Sequence, residues 1–131
     1  MQSVKVLLVS PDPESREHMA LAVRGLERRL GEPMHFLVAM DGEQGLAAAR
    51  RELPDIVVAD EIASRAGGFA LAKDLRGATE PFAGLIVILL ERRQDAWLAK
   101  WSGADLWFVR PVYAFELADR MLELVTSKEP A

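Results

Sequence analysis

Pro54-Asp55-Ile56-Val57-Val58-Ala59-Asp60 decides the fold of this chain. From Ile56 an apolar, mostly β-branched run enters the carboxylate of Asp60 without a polar interruption, and Gly68 follows shortly after. Continuous rather than alternating apolar character marks a strand covered on both faces, as in a parallel sheet. A carboxylate at the C-terminal tip of such a strand sits where open α/β sheets place their chemistry.

The same signal recurs on either side. Strands are expected over Val4 to Val9, Met34 to Met40, Asp55 to Asp60, Leu85 to Leu90 and Leu106 to Val109. Segments of helical period separate them. The first runs from Pro13 to Leu30, with Met19, Ala22, Val23, Leu26 and Leu30 on one face. Asp12 before Pro13 is an N-cap signature, because proline at the first helical position gives up no needed donor. Asp41 with Gln44 three residues on has the form of a capping box for a helix through Arg51. A third helix follows Gly68 with Leu71 and Leu75 inward. A fourth spans Gln94 to Ser102 and stops at Gly103. A fifth runs from Tyr113 to Thr126, with Leu117, Met121, Leu124 and Val125 inward. The alternation predicts a doubly wound α/β fold: a five-stranded parallel sheet with helices on both faces and right-handed crossovers. Residues 1–126 form one domain in this reading, and 127–131 a flexible tail.

Composition narrows the function classes. The chain has 131 residues, enough for one core. It has no cysteine, which excludes a disulfide framework, thiolate metal sites and thiol catalysis. A net charge of -4 without a basic stripe argues against nucleic acid. No apolar run is long enough to span a membrane, and the first residues enter a strand pattern rather than a leader. A cytoplasmic domain is expected. No G-x-G-x-x-G or Walker motif follows the first strand, so a nucleotide-binding enzyme is disfavoured. Neither His18 nor His35 has a ligand-spaced partner.

Four pieces in order resemble the receiver domain of bacterial response regulators, the CheY-like family. They are Lys5-Val6-Leu7-Leu8-Val9, Asp41-Gly42-Glu43-Gln44-Gly45-Leu46, Pro54 to Asp60 followed by Gly68-Phe69, and Gly103-Ala104-Asp105-Leu106-Trp107-Phe108-Val109-Arg110-Pro111. The resemblance implies a (βα)5, flavodoxin-like three-layer sandwich. It also implies five working groups: two acids after the first strand, an acceptor aspartate, a hydroxyl ending the fourth strand, and a lysine before proline. Here Ser10 and Pro11 stand at the acid positions and Asp60 at the acceptor position. Leu90, or a close neighbour, stands at the hydroxyl position and Arg110 at the lysine position. Ser64 lies near the place of the loop proline usual after the acceptor.

Magnesium is normally held by one or two carboxylates plus substrate phosphate. With Ser10 and Pro11 beside Asp60, its binding is expected to be weak or absent, and no other cofactor is implied. Asp12 could in principle supply a ligand, but the N-cap role accounts for it. Arginine pairs with carboxylates in a planar, permanently charged fork, so Arg110 is expected to pair with Asp60 and lock the pocket. The favoured reading is a non-enzymatic pseudo-receiver that signals by protein contact. The alternative is a phosphorylatable receiver that uses Asp60.

The aromatic residues supply a second signal. Trp97 falls where the family buries an aliphatic residue and is expected in the core, with Lys100 inward. Leu98 and Trp101 then point outward. With Trp107 and Tyr113 they form a candidate interface along the fourth helix, fifth strand and fifth helix, for a protein partner or a homodimer. A rotated fourth helix would instead bury Trp101 and expose Lys100.

Overall fold

The computed structural model describes residues 4–61 and 67–128, with side chains through Val125. Its elements in chain order are β1 (Val4–Val9), α1 (Pro13–Leu30), β2 (Met34–Ala39), α2 (Gly42–Glu52), β3 (Ile56–Asp60), α3 (Gly68–Arg76), β4 (Leu85–Leu90), α4 (Ala96–Ser102), β5 (Leu106–Val109) and α5 (Ala114–Lys128). A 3₁₀ turn, Arg93–Asp95, leads into α4. The five strands form one sheet in the order β2-β1-β3-β4-β5, every pair parallel. The doubly wound fold expected from the sequence is present. The last helix continues beyond Thr126 to Lys128, whereas Ser64 and residues 129–131 of the expected tail lie outside the described residues.

Strand side chains alternate between two cores. Val6, Leu8, Ile56, Val58, Val87 and Leu89 meet Met19, Val23 and Leu26 of α1 and Leu117 and Met121 of α5. Leu7, Val9, Val57, Ala59, Ile86, Ile88 and Leu90 meet Ala48, Ala49, Leu71, Leu75 and Ala99 on the opposite face. Both faces of the central strands are therefore dry, which is why their sequences read as unbroken apolar runs.

Caps set the helix limits. Asp12 accepts from Glu14 N at 3.1 Å, and Asp41 accepts from Gln44 N at 2.9 Å. The reciprocal Gln44 contact goes to Met40 N at 3.2 Å, one residue earlier than the usual capping box. α2 ends on Leu53, whose φ of 50° puts a β-carbon-bearing residue in the left-handed region. Asp105, just before β5, does more than lead into the strand. With Arg76 it clamps the sheet's amino edge. The guanidinium donates to Gly103 O at 3.0 Å, Phe82 O at 2.6 Å, Gly84 O at 3.1 Å and Asp105 at 2.7 Å. The same Asp105 oxygen accepts from Ile86 N at 2.8 Å.

Two opposite stability changes are expected from these features. Arg76→Ala strands three carbonyls and a half-buried carboxylate and should cost about 2–3 kcal/mol in urea unfolding. Leu53→Gly relieves the left-handed strain and should gain up to about 1 kcal/mol.

Candidate functional site

The parallel register brings the carboxyl ends of β1, β3, β4 and β5 to one edge. Val9 lies beside Ala59, Asp60 beside Leu89, and Leu90 beside Val109. Ser10, Asp60, Leu90 and Arg110 consequently share that edge. Gly68 keeps it compact, since a β-carbon there would stand 2.8 Å from Asp60 O. Only glycine lets α3 start so close to the end of β3.

Asp60 is the centre of the edge and is 6% exposed. Its Oδ2 accepts from the Ser15 hydroxyl at 2.7 Å. Its Oδ1 is paired with Arg110 Nη2, which also donates to Ser15 Oγ. The expected Arg110–Asp60 pair is therefore present, and it is a three-residue network rather than a simple pair. Arg110 Nε lies 3.4 Å from Glu91 Oε1 without hydrogen-bond geometry, so it is a buried donor with no hydrogen bond among the described residues. Burial draws the Arg110 guanidinium below its ordinary value, and the Asp12 charge pulls the other way. The Arg110–Pro111 peptide is cis.

The two residues at the acid positions contribute no charge. Ser10 is fully buried, and its hydroxyl oxygen accepts from Asp12 N at 3.1 Å. Its carbonyl accepts from Arg16 at 2.6 Å. Pro11 is exposed and has no side-chain oxygen. Asp12 caps α1, as its place before Pro13 suggests. Leu90 is fully buried among the apolar residues under α2, α3 and α4 and supplies no hydroxyl. Among the described residues, no group of three or more His, Asp or Glu side chains could hold a metal ion.

Ser15 is the functional residue that the sequence reading missed. Its signal lies in the α1 stripe: stepping four back from Met19 reaches Ser15, so a hydroxyl occupies a core-facing position at the sheet edge. A cleft of about 290 Å³ beside it is lined by Asp12, Glu14, Ser15, His18, Arg110, Pro111 and Val112. His18 Nε2 bonds Val112 O at 2.5 Å, which anchors the cleft floor to α1. A larger hollow of about 880 Å³ lies at the opposite, amino edge, around Val4, Pro54 and Phe82, away from the Asp60 network.

A pair of acids, Glu61 and Asp95, flanks the site. Glu61 accepts from Glu91 N at 2.6 Å, and Arg92 reaches Asp95 at 3.3 Å. Burial, then the hydrogen bond with Asp95, raises the Glu61 carboxyl above 4.5. Asp95 is held below its usual value, first by that bond and then by Arg92.

The aromatic positions differ from expectation. Trp97 is 65% exposed rather than buried, and Lys100 is exposed rather than inward. Ala99 and Ser102 face the core instead, so α4 is rotated relative to the expected register. Trp101 is exposed, as expected, and lies under Lys73 of α3, whose Nζ is 4.2 Å from the ring centre. Leu98 is half-buried, and Trp107 is half-buried against the α2–α4 side of the core. Tyr113 is exposed and stacks on Phe115 with centroids 6.4 Å apart. Among the described residues no ring contact joins these groups into one patch.

No protein-family model matches the chain. It is 28% identical over 120 residues to the DNA-binding response regulator MtrA of Mycolicibacterium smegmatis, covering 89% of this chain and 48% of that protein. It is 28% identical over 126 residues to an uncharacterized response regulatory protein of Mycobacterium tuberculosis, covering 94% and 92%. The chain thus spans about half the length of the first of these. Among solved structures, chemotaxis response regulator CheY4 of Vibrio cholerae superposes with a TM-score of 0.76 at 22% identity, covering 94% of this chain and 99% of that one. A two-component response regulator from Clostridium difficile gives 0.79 at 18% identity, covering 98% and 100%. Among the described residues, no helix is long and apolar enough to cross a membrane.

Two measurements test this geometry. In a double-mutant cycle, Arg110→Ala should cost about 2–3 kcal/mol and couple to Asp60→Asn by about 1–2 kcal/mol, because the first leaves a buried carboxylate without its counter-charge and the second leaves the guanidinium only Glu91. Separately, a raised carboxyl favours the protonated folded state, so Glu61 withdraws stability as pH rises through its elevated range. Asp95 acts oppositely, and its contribution is lost as pH falls through its depressed value. Glu61→Gln should therefore remove a decline in urea midpoint that the parent shows above pH 4.5.

Proposed function

The chain is a receiver domain of the response-regulator, CheY-like family, with a place in two-component signalling, and on that premise we propose that it is a pseudo-receiver. In this reading it regulates by contact with a protein partner and does not accept a phosphoryl group on Asp60. The observation that supports it is the engagement of both Asp60 oxygens, one by Ser15 and one by Arg110.

The chemistry follows from that network. An acceptor carboxylate must offer a lone pair to phosphorus while cations neutralise the incoming group. Here the guanidinium holds one oxygen and the Ser15 hydroxyl the other. Magnesium needs near-octahedral oxygen ligands, and this donor set does not suit it. Ser10 is turned to Asp12 N, Pro11 has no donor, and Arg110 brings positive charge to the place a cation would take. Leu90 supplies no hydroxyl to a transferred group. Loss of one such stabiliser typically costs about 10²–10³ in rate, so the loss of metal and hydroxyl together leaves little transfer. The domain is not itself an enzyme on this account. The alternative, a receiver that is phosphorylated on Asp60, is favoured only by the retention of that carboxylate at the strand tip.

Incubation with acetyl phosphate and magnesium, read by intact mass, separates the two. No phosphoryl adduct is expected on the parent chain. Combined Ser10→Asp, Pro11→Asp and Arg110→Lys should restore a magnesium-dependent change in tryptophan emission. An adduct on the parent that disappears in Asp60→Asn would establish the alternative.

A further inference from the structure

The hollow of about 880 Å³ at the amino edge takes no part in the Asp60 network. Five elements converge on it. β1 enters at Val4, α1 ends at Leu30, β3 and β4 enter at Ile56 and Leu85, and α5 passes at Val125. Together with the Phe82 ring, these side chains give it apolar walls. The ring is held from several sides. Phe82 N donates to Leu75 O at 2.9 Å, Phe82 O accepts from Arg76 at 2.6 Å, and the Arg76 guanidinium carbon lies 5.9 Å from the ring centre. Gly84 admits the ring, since a β-carbon there would stand 2.6 Å from one of its carbons. A concave, mostly apolar site whose walls are fixed in this way is formed before any ligand arrives.

The charged part of the lining has one sign. Among the described residues it consists of Glu32, Asp55 and Glu80. Asp55 accepts from Lys5 N at 2.9 Å through one of its oxygens. Neither Glu32 nor Glu80 forms an ion pair among the described residues. Lys5 and Arg76 are close in the chain but engaged elsewhere, the first with Glu52 and the second with Asp105 and two nearby carbonyls. Leu53 also lines the hollow, 73% exposed and with a φ of 50°. Glycine is the residue that this conformation favours. A leucine here carries the strain and gains little burial from the fold, so the fold alone does not account for it. A molecule in the hollow would account for it, by covering that side chain.

We propose that the hollow binds a small amphipathic organic cation, a primary amine carried on an aromatic or aliphatic body. The body would lie against Phe82 and the aliphatic walls, with Leu53 over it, and the ammonium would meet Glu32 and Glu80. The volume falls within the range of small-molecule sites, roughly 300–1,000 Å³. Apolar walls beside the carboxylates exclude water and strengthen their attraction for a cation. An anion would meet three carboxylates and, among the described lining residues, no base. A second copy of the chain fits poorly, because a two-fold pairing at this edge would set carboxylates against carboxylates. Asp60 lies at the opposite edge, so the inference goes beyond the pseudo-receiver reading, and failure of that reading leaves it intact.

The test titrates the isotope-labelled whole chain with tryptamine and hexylamine, each beside its alcohol and carboxylate analogue (tryptophol and indole-3-propionate, hexanol and hexanoate). The amide signals of Ile56, Phe82 and Leu85 should shift saturably with at least one amine. That amine should bind about fivefold or more tightly than its alcohol. Leu53→Gly should weaken it about fivefold or more while raising the urea midpoint, so the loss does not come from unfolding. Glu32→Gln with Glu80→Gln should bring the amine within about twofold of its alcohol. No saturable shift at those amides, equal binding of the carboxylate analogue, or binding indifferent to either variant would overturn the proposal. Methylamine binding as tightly would overturn it by reducing the site to a patch of negative charge. Nuclear Overhauser contacts from residues 1–3 or 129–131 to Phe82 in the unliganded chain would give the hollow to the chain's own ends and overturn it too.

Discussion

The contact between the Arg110 guanidinium and the Asp60 carboxylate, shared with Ser15, ties three elements that the chain brings together from distant positions. β3 supplies the acid, the end of β5 the cation, and the first turn of α1 the hydroxyl. A carboxylate 6% exposed is costly to hold without compensation. The two donors offset that cost within the polypeptide itself. The remaining properties of the edge follow from it, including which oxygens stay open to an incoming group and which cation sits beside them.

That contact depends on the sheet behind it. Because every strand is parallel and in register, the strand ends meet at one edge and the side chains alternate into two dry layers. Arg76 and Asp105 secure the opposite edge, with carbonyls from the α3–β4 and α4–β5 connections gathered on one guanidinium. Each edge is thus held by an arginine and an aspartate. At the amino edge the arginine gathers backbone groups. At the carboxyl edge it reaches only side chains, and its Nε is left without a hydrogen bond among the described residues.

Much of this architecture is legible in the amino-acid order alone. The strand limits of β1, β4 and β5 and the capping roles of Asp12 and Asp41 follow from local chemistry that the sequence carries openly, and the Arg110–Asp60 pair from the positions that the family resemblance gives those two residues. Ser15 is not legible as a site residue, because it lies beyond the acid positions and serine in a first helical turn is ordinary. Only the α1 stripe extended backward places it inward. The register of α4 is obscured for a different reason. A seven-residue helix holding alanines and tryptophans gives no clear apolar face. Size decides the outcome instead: Ala99 and Ser102 fit against the sheet, and the indoles do not. The part that Asp105 plays is hidden because its partner, Arg76, lies in α3.

A counter-charge carried by the chain, as Arg110 is, cannot be washed out, titrated in or delivered by a kinase. A ligand shifts a conformational balance only by its differential affinity for the two states, and this pocket begins with its anion already satisfied. On the pseudo-receiver reading, the cell would read such a domain by copy number, as a measure of how much is present rather than of what fraction is charged.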